Sequence, residues 1–214
     1  MNRSLPIVAA TVAFMLAACA TTQRKSYAKL QAAHPRSILI VPVVNNTVDV
    51  DAPDYFLSTL PIPVAERGYY VFPVNLVGHV MENEGLSDAA MVHSADATRL
   101  CALFGADAVL FVTIERWDAK YMVITTQVTV EFSYALKDGK TGETLWVHHA
   151  SMVYAPGSGG GGLIGAVVNA ALTKAAPNYM PLARQANANT FAYPGPGLPA
   201  GPYLPEWQKD IAAQ

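Results

Sequence analysis

The chain has 214 residues, 52% of them hydrophobic and only 14% charged, with a formal net charge of −2. That is enough for one domain with a substantial core. The near-neutral balance, with no basic cluster larger than the pair Arg24-Lys25, excludes nucleic acid as the expected partner.

The first segment sets the compartment. Met1-Asn2-Arg3 carries a single positive charge, and Leu5 to Ala18 forms an apolar run. At about 1.5 Å per residue this run is too short to cross a bilayer core of roughly 30 Å, so it reads as the apolar region of an export signal. It ends in Leu16-Ala17-Ala18-Cys19, which resembles a bacterial lipobox. Residues 1–18 are then a signal peptide, and Cys19 receives diacylglycerol on its thiol and an acyl chain on its freed amine. Two or more chains, at about 0.8 kcal/mol per buried CH₂, give stable attachment to a membrane. Ala20 and Thr21 follow, without the Asp that retains many such lipoproteins in the inner membrane. The outer membrane is therefore expected, with the domain facing the periplasm or the cell surface.

Residues 19–36 read as the lipidated cysteine and a tether, and 37–191 as a single domain. Ile38 to Val44 is an apolar run suited to a strand buried on both faces, broken by Asn45-Asn46-Thr47. Asp54 is placed to cap a short helix through Leu60, before Pro61 and Pro63 interrupt the pattern. Tyr69 to Pro73 is a second strand. Helices are predicted over Val74–Glu84 and Ala95–Phe104, the latter closed by Gly105. Ala108 to Glu115 is a third strand, so the order so far is β-α-β-α-β with parallel pairing. Val123 to Tyr134, a turn over Lys137–Glu143, and Thr144 to Tyr154 then predict a long antiparallel hairpin. The expected class is α/β with a mixed sheet and a C-terminal helix over Leu163–Ala176. Residues 192–214, with Pro194, Pro196, Pro199, Pro202 and Pro205, read as a polyproline-like arm anchored by Tyr203 and Trp207.

Gly160, Gly162 and Gly165 fit the spacing G-x-G-x-x-G before a helical run, the order of a dinucleotide-binding turn. The remaining requirements fail. Leu163-Ile164 follows Gly162 where a phosphate loop needs Lys-Ser/Thr, and no Asp or Glu occurs between Glu143 and Glu206 to bind a ribose. No cofactor is expected. Gly162, Gly165, Ala166 and Ala170 instead suit close approach of another backbone, so the segment is a core helix or an interaction helix facing a partner or a second copy.

The other reactive residues are dispersed. Cys101 lies on the apolar side of a helix and reads as a small buried hydrophobe without a disulfide partner. His148 and His149 point to opposite faces of a strand, and His79 and His93 have no ligand at metal spacing, so no metal is expected. Ser158 has Pro156 where a nucleophile elbow needs glycine. Asp107, Glu115 and Asp118 lie near strand ends, where solvated or capping carboxylates are the norm. No catalytic constellation is evident. Tyr69, Tyr70, Trp117, Tyr121, Tyr134 and Trp146 read as core packing, with a groove for an apolar ligand as the alternative.

The blocks Pro63 to Val74, Phe104 to Leu110 and Asp138 to Trp146 resemble, in order, a domain-of-unknown-function family of Gram-negative lipoproteins that includes a neisserial surface-antigen lipoprotein. Leu163-Ile164-Gly165-Ala166 and Leu198 to Tyr203 extend the likeness. The resemblance implies a fold like the N-terminal domain of the translocation protein TolB and like curli-secretion-type lipoproteins. It also implies a curli-secretion-like lipoprotein as envelope partner, and only Cys19 carries over as a functional position. The expected function is protein–protein contact within an envelope or secretion assembly. The alternative is a carrier for a lipid or other hydrophobic ligand.

Overall fold

The computed structural model describes residues 27–121, 126–154, 180–192 and 197–207. In chain order the elements are α1 (Ala28–Ala33), β1 (Ser37–Ile40), β2 (Val44–Asn45), α2 (Ala52–Leu57), α3 (Pro61–Glu66), β3 (Tyr70–Val71) and α4 (Val74–Asn83). They continue with α5 (Ala89–Ser94), α6 (Ala97–Phe104), β4 (Ala108–Tyr121), β5 (Thr126–Asp138), β6 (Thr144–Tyr154) and α7 (Met180–Phe191). The six strands form one mixed sheet in the order β3-β1-β4-β5-β6, with β2 also pairing β4. β1 runs parallel to β3 and β4, whereas β4–β5 and β5–β6 are antiparallel. The fold is therefore mixed α/β, parallel at one side of the sheet and antiparallel at the other.

Local chemistry explains where the elements depart from their predicted bounds. The apolar run after Ser37 is two strands rather than one, because the chain leaves the sheet at Pro42, which has no N–H to donate. Asp54 lies in the first turn of α2 rather than at its cap. Pro61 begins α3 as well as ending the previous pattern, since a helix's first turn needs no donor there. The predicted helix from Ala95 is α6 alone, entered from a separate helix α5. Ala95 is extended (ψ 156°), and each helix has its own aspartate cap. Asp88 accepts from the Ala90 N–H at 2.8 Å and Asp96 from the Thr98 N–H at 2.7 Å. Gly105 closes α6 in the left-handed conformation, φ 69°, as expected. β4 runs on past Glu115 to Tyr121 because an irregularity between Ile114 and Arg116 lets its pairing with β5 continue.

Helices pack on both faces. On one face α1, α2 and α7 cover the sheet, and Phe56 stacks on Phe132 with ring centroids 4.2 Å apart. Trp117, Tyr134, Trp146 and Phe191 extend this aromatic layer, each ring meeting another of the set. On the other face α4, α5 and α6 bury Val77, Met81, Val92, Leu100 and Cys101 against Leu39, Val41, Val109 and Phe111. Burying side chains of this size stabilises by roughly 1.5–3 kcal/mol each.

The two ends of the described chain belong to this packing. Tyr27 and Leu30 are buried within the stretch read as tether, and the Tyr27 hydroxyl donates to the Gly197 carbonyl at 2.9 Å. The Pro-rich arm is held over residues 197–207, and of its two predicted anchors Trp207 packs edge-on to His34 while Tyr203 does not anchor it. Gly197 to Gly201 are all buried, Leu198 and Ala200 among the core residues, whereas Tyr203 is 63% exposed. Arg67 Nε donates to the Leu198 carbonyl at 2.8 Å and the Tyr69 hydroxyl to the Pro199 carbonyl at 3.1 Å.

Candidate functional site

The predicted lipid position Cys19 and the predicted interaction residues Gly162, Gly165, Ala166 and Ala170 lie outside the described residues. What the structure brings together is a face of the antiparallel half-sheet that no helix among the described residues covers. The helices α4, α5 and α6 reach β1, β4 and the edge of β5 at Ala135, and no further. Beyond them the register aligns cross-strand rows: Thr113–Ser133–His149, Arg116–Glu131–Ser151 and Asp118–Thr129–Val153. His149 and Ser151 are exposed, and Val147 and Val153 are 53% and 54% exposed.

The strand period places these side chains on one surface. Arg116 Nη1 lies 3.2 Å from Glu131 Oε1, and Arg116 Nε lies 3.8 Å from Asp118 Oδ2. Ser133 Oγ and His149 Nδ1 are 3.4 Å apart. The result is a surface of hydroxyls and one charge cluster with valines at its outer strand. Such mixed surfaces suit contact with another protein, where hydrophobic area excludes water and polar groups set register. Sequence reasoning missed this face, because alternation marks which residues share a side of a strand but not whether a helix covers them.

The dispersed reactive residues stay dispersed. His148 points to the aromatic side, stacked on Trp146 at 5.7 Å, and His149 to the uncovered side, as their adjacency on a strand predicts. One Asp107 carboxylate oxygen accepts from the Arg36 N–H at 2.9 Å and from the Ser37 N–H and Oγ at 3.1 Å, tying the start of β1 to the start of β4. Cys101 is buried, and burial, followed by the nearby carboxylates of Asp138 and Asp107, pushes its thiol up to about 12. Such a thiol is not a nucleophile at neutral pH. Among the described residues no His, Cys, Asp or Glu group of three is placed to hold a metal. The aromatic layer is filled by the chain's own rings rather than opened as a groove.

A buried polar chain crosses the covered side. The Tyr134 hydroxyl donates to Asn187 Oδ1 at 2.7 Å, Asn187 Nδ2 donates to Thr59 Oγ1 at 2.7 Å, and Thr59 Oγ1 donates to the Phe56 carbonyl at 2.7 Å. It joins α7 to β5 and to the end of α2.

Residues 25–192 match the family model described as "Putative lipoprotein GNA1162-like". The chain is 33% identical over 150 residues, 70% of each chain, to the Neisseria meningitidis serogroup B protein named "Putative lipoprotein NMB1124/NMB1162". Its fold overlays the crystal structure of lipoprotein GNA1162 from Neisseria meningitidis with a TM-score of 0.57 at 34% identity, covering 64% of this chain and 94% of that one. The PelC dodecamer from Paraburkholderia phytofirmans overlays with a TM-score of 0.47 at 16% identity, over 73% of this chain and 84% of that one, too slight a likeness to argue from. No helix among the described residues is long and apolar enough to cross a membrane. With the family blocks and the mixed sheet in agreement, the chain belongs to the GNA1162-like lipoprotein family.

Proposed function

We propose that this chain is an outer-membrane lipoprotein, held by lipid on Cys19, that acts by protein–protein contact within an envelope assembly rather than by catalysis. The observation that carries the contact reading is the exposed face of β5 and β6, where His149, Ser151 and Val153 end the cross-strand rows beside Val147 and no helix among the described residues packs on them. Leu16-Ala17-Ala18-Cys19 supports the anchor, as does membership of a lipoprotein family. The partner is a second envelope lipoprotein of the curli-secretion-like kind or a second copy of this chain, with the apolar segment Leu163–Ala176 as a further candidate contact. The carrier alternative gains no support from an aromatic layer filled by its own rings.

The test replaces Ser151 with a photo-crosslinking residue in the full lipidated chain, and Glu84 as a control on an uncovered helix end. Adducts to a defined partner or to a second copy at 151 but not at 84 are expected. Only monomer at both positions overturns the contact reading. Separately, a Cys19→Ala chain should leave the membrane fraction while still folding, and its retention there overturns the anchor.

A further inference from the structure

We propose that the domain stands on the membrane by one particular end, formed by α1, the β5–β6 turn and residues 197–207, with the β4–β5 ribbon pointing away from the lipid surface. This rests on the anchor at Cys19. Tyr27 is already buried and bonded to Gly197, so the tether between lipid and packed domain is short. From Cys19 to Tyr27 the chain spans at most ~29 Å when fully extended. The 14 residues of β4 span about 43 Å between their ends at ~3.3 Å per residue. The end of β4 near the tether is identified by its contacts. Asp138 pairs with Ala108, the turn that follows carries Glu143, and Glu143 lies 3.5 Å from Lys29 of α1. A tether shorter than the ribbon cannot bring the far tip to the bilayer while α1 stays packed.

Surface chemistry agrees with this polarity. The near end exposes Tyr70 (52%) and Tyr203 (63%), which share a shallow depression with Arg36, and Trp207 packs edge-on to His34. Tyrosine and tryptophan favour the headgroup layer, where one end of the ring is apolar and the other wet. The far end carries Asp49, Asp51, Glu115 and Asp118 against Lys120, with Arg116 already engaged by Glu131 and Asp118, and so is net acidic. An anionic bilayer repels that end.

The test uses the acylated full chain bound to vesicles of phosphatidylethanolamine and phosphatidylglycerol containing a lipid with a nitroxide headgroup. A fluorophore is attached at Tyr203→Cys, at Lys140→Cys or at Asp118→Cys. Cys101, buried and un-ionised, takes no label in the folded chain. Quenching at 203 and 140 should exceed that at 118 several-fold. Equal quenching at the three positions, or stronger quenching at 118, in chains that remain vesicle-bound overturns the orientation and leaves the anchor standing. Failure of the acylated chain to bind vesicles overturns the anchor and the orientation with it.

Discussion

Gly68 and Gly201 cross with their backbones in contact. The Gly201 N–H donates to the Arg67 carbonyl at 2.5 Å, and the Tyr203 N–H donates to the Gly68 carbonyl at 3.2 Å. A Cβ on Gly201 would lie 2.7 Å from the Gly68 carbonyl carbon, and Gly68 itself holds φ +79°. This crossing lets the C-terminal segment lie flat on the loop before β3.

Gly201→Ala should therefore lift that segment. Overpacking of this kind costs about 2 kcal/mol, and in a chain of this size that lowers the melting temperature by roughly 4–8 °C. Thermal unfolding followed by circular dichroism checks it. An unchanged midpoint would show that the two backbones separate without cost.

Asn187 is the hinge of the buried polar chain, bonded at once to Tyr134 and Thr59, and it has no exposed surface. Asn187→Leu keeps the branched shape of the side chain, slightly enlarged, but leaves those hydroxyls short of a partner, a penalty of about 1–3 kcal/mol. Tyr134→Phe, which removes only one donor, should cost less. Urea unfolding of both variants gives the order, and a reversed order would contradict the geometry.

Cys101 gives a pH signature. Its folded pKa, pushed up to about 12, exceeds the ordinary value of 9.0. Above pH 9 the unfolded thiol ionises while the folded one does not, so its contribution is complete below pH 9 and is lost as pH rises toward 12. Cys101→Ala should flatten the alkaline fall of stability relative to the parent chain. A thiol reagent at pH 8 should label the parent chain only in denaturant, and prompt labelling of folded protein would refute the burial.

His93 works at the other end of the scale. Its Nε2 lies 3.0 Å from the Pro42 carbonyl and its ring meets Phe111 edge-on at 5.1 Å. Burial holds its pKa below the ordinary 6.5, the Pro42 hydrogen bond opposes that, and Lys137 adds to it. The unfolded chain then binds the proton more readily, so stability falls as pH drops below about 6.5. His93→Gln should show a smaller loss of melting temperature between pH 7.5 and 5. An identical loss in both chains would mean that His93 is not the group being titrated.

Much of the frame was legible from residue order. Apolar runs closed by glycine or proline marked the parallel strands, and the Lys137–Glu143 turn between β-branched runs marked the hairpin, because both rest on local periodicity and turn chemistry. α7 was not legible. Its buried face mixes Leu182, Ala183, Ala186 and Phe191 with Asn187 and Thr190, and such a stripe reads as loop until the polar partners that satisfy Asn187 are known. The same holds for the candidate site.

The sequence alone determined the parallel strands near Ile38, Tyr69 and Ala108, the helices around Val74 and Ala97, and the long hairpin after them. Each depends on residues near one another in the chain. Tertiary structure alone decided that α1 and residues 197–207 pack together, that Tyr203 stays exposed, and that no helix among the described residues covers the far half of the sheet on the side of Val147 and Val153. These depend on which distant segment arrives to cover a surface, and covering is a property of the assembled layers rather than of any local pattern.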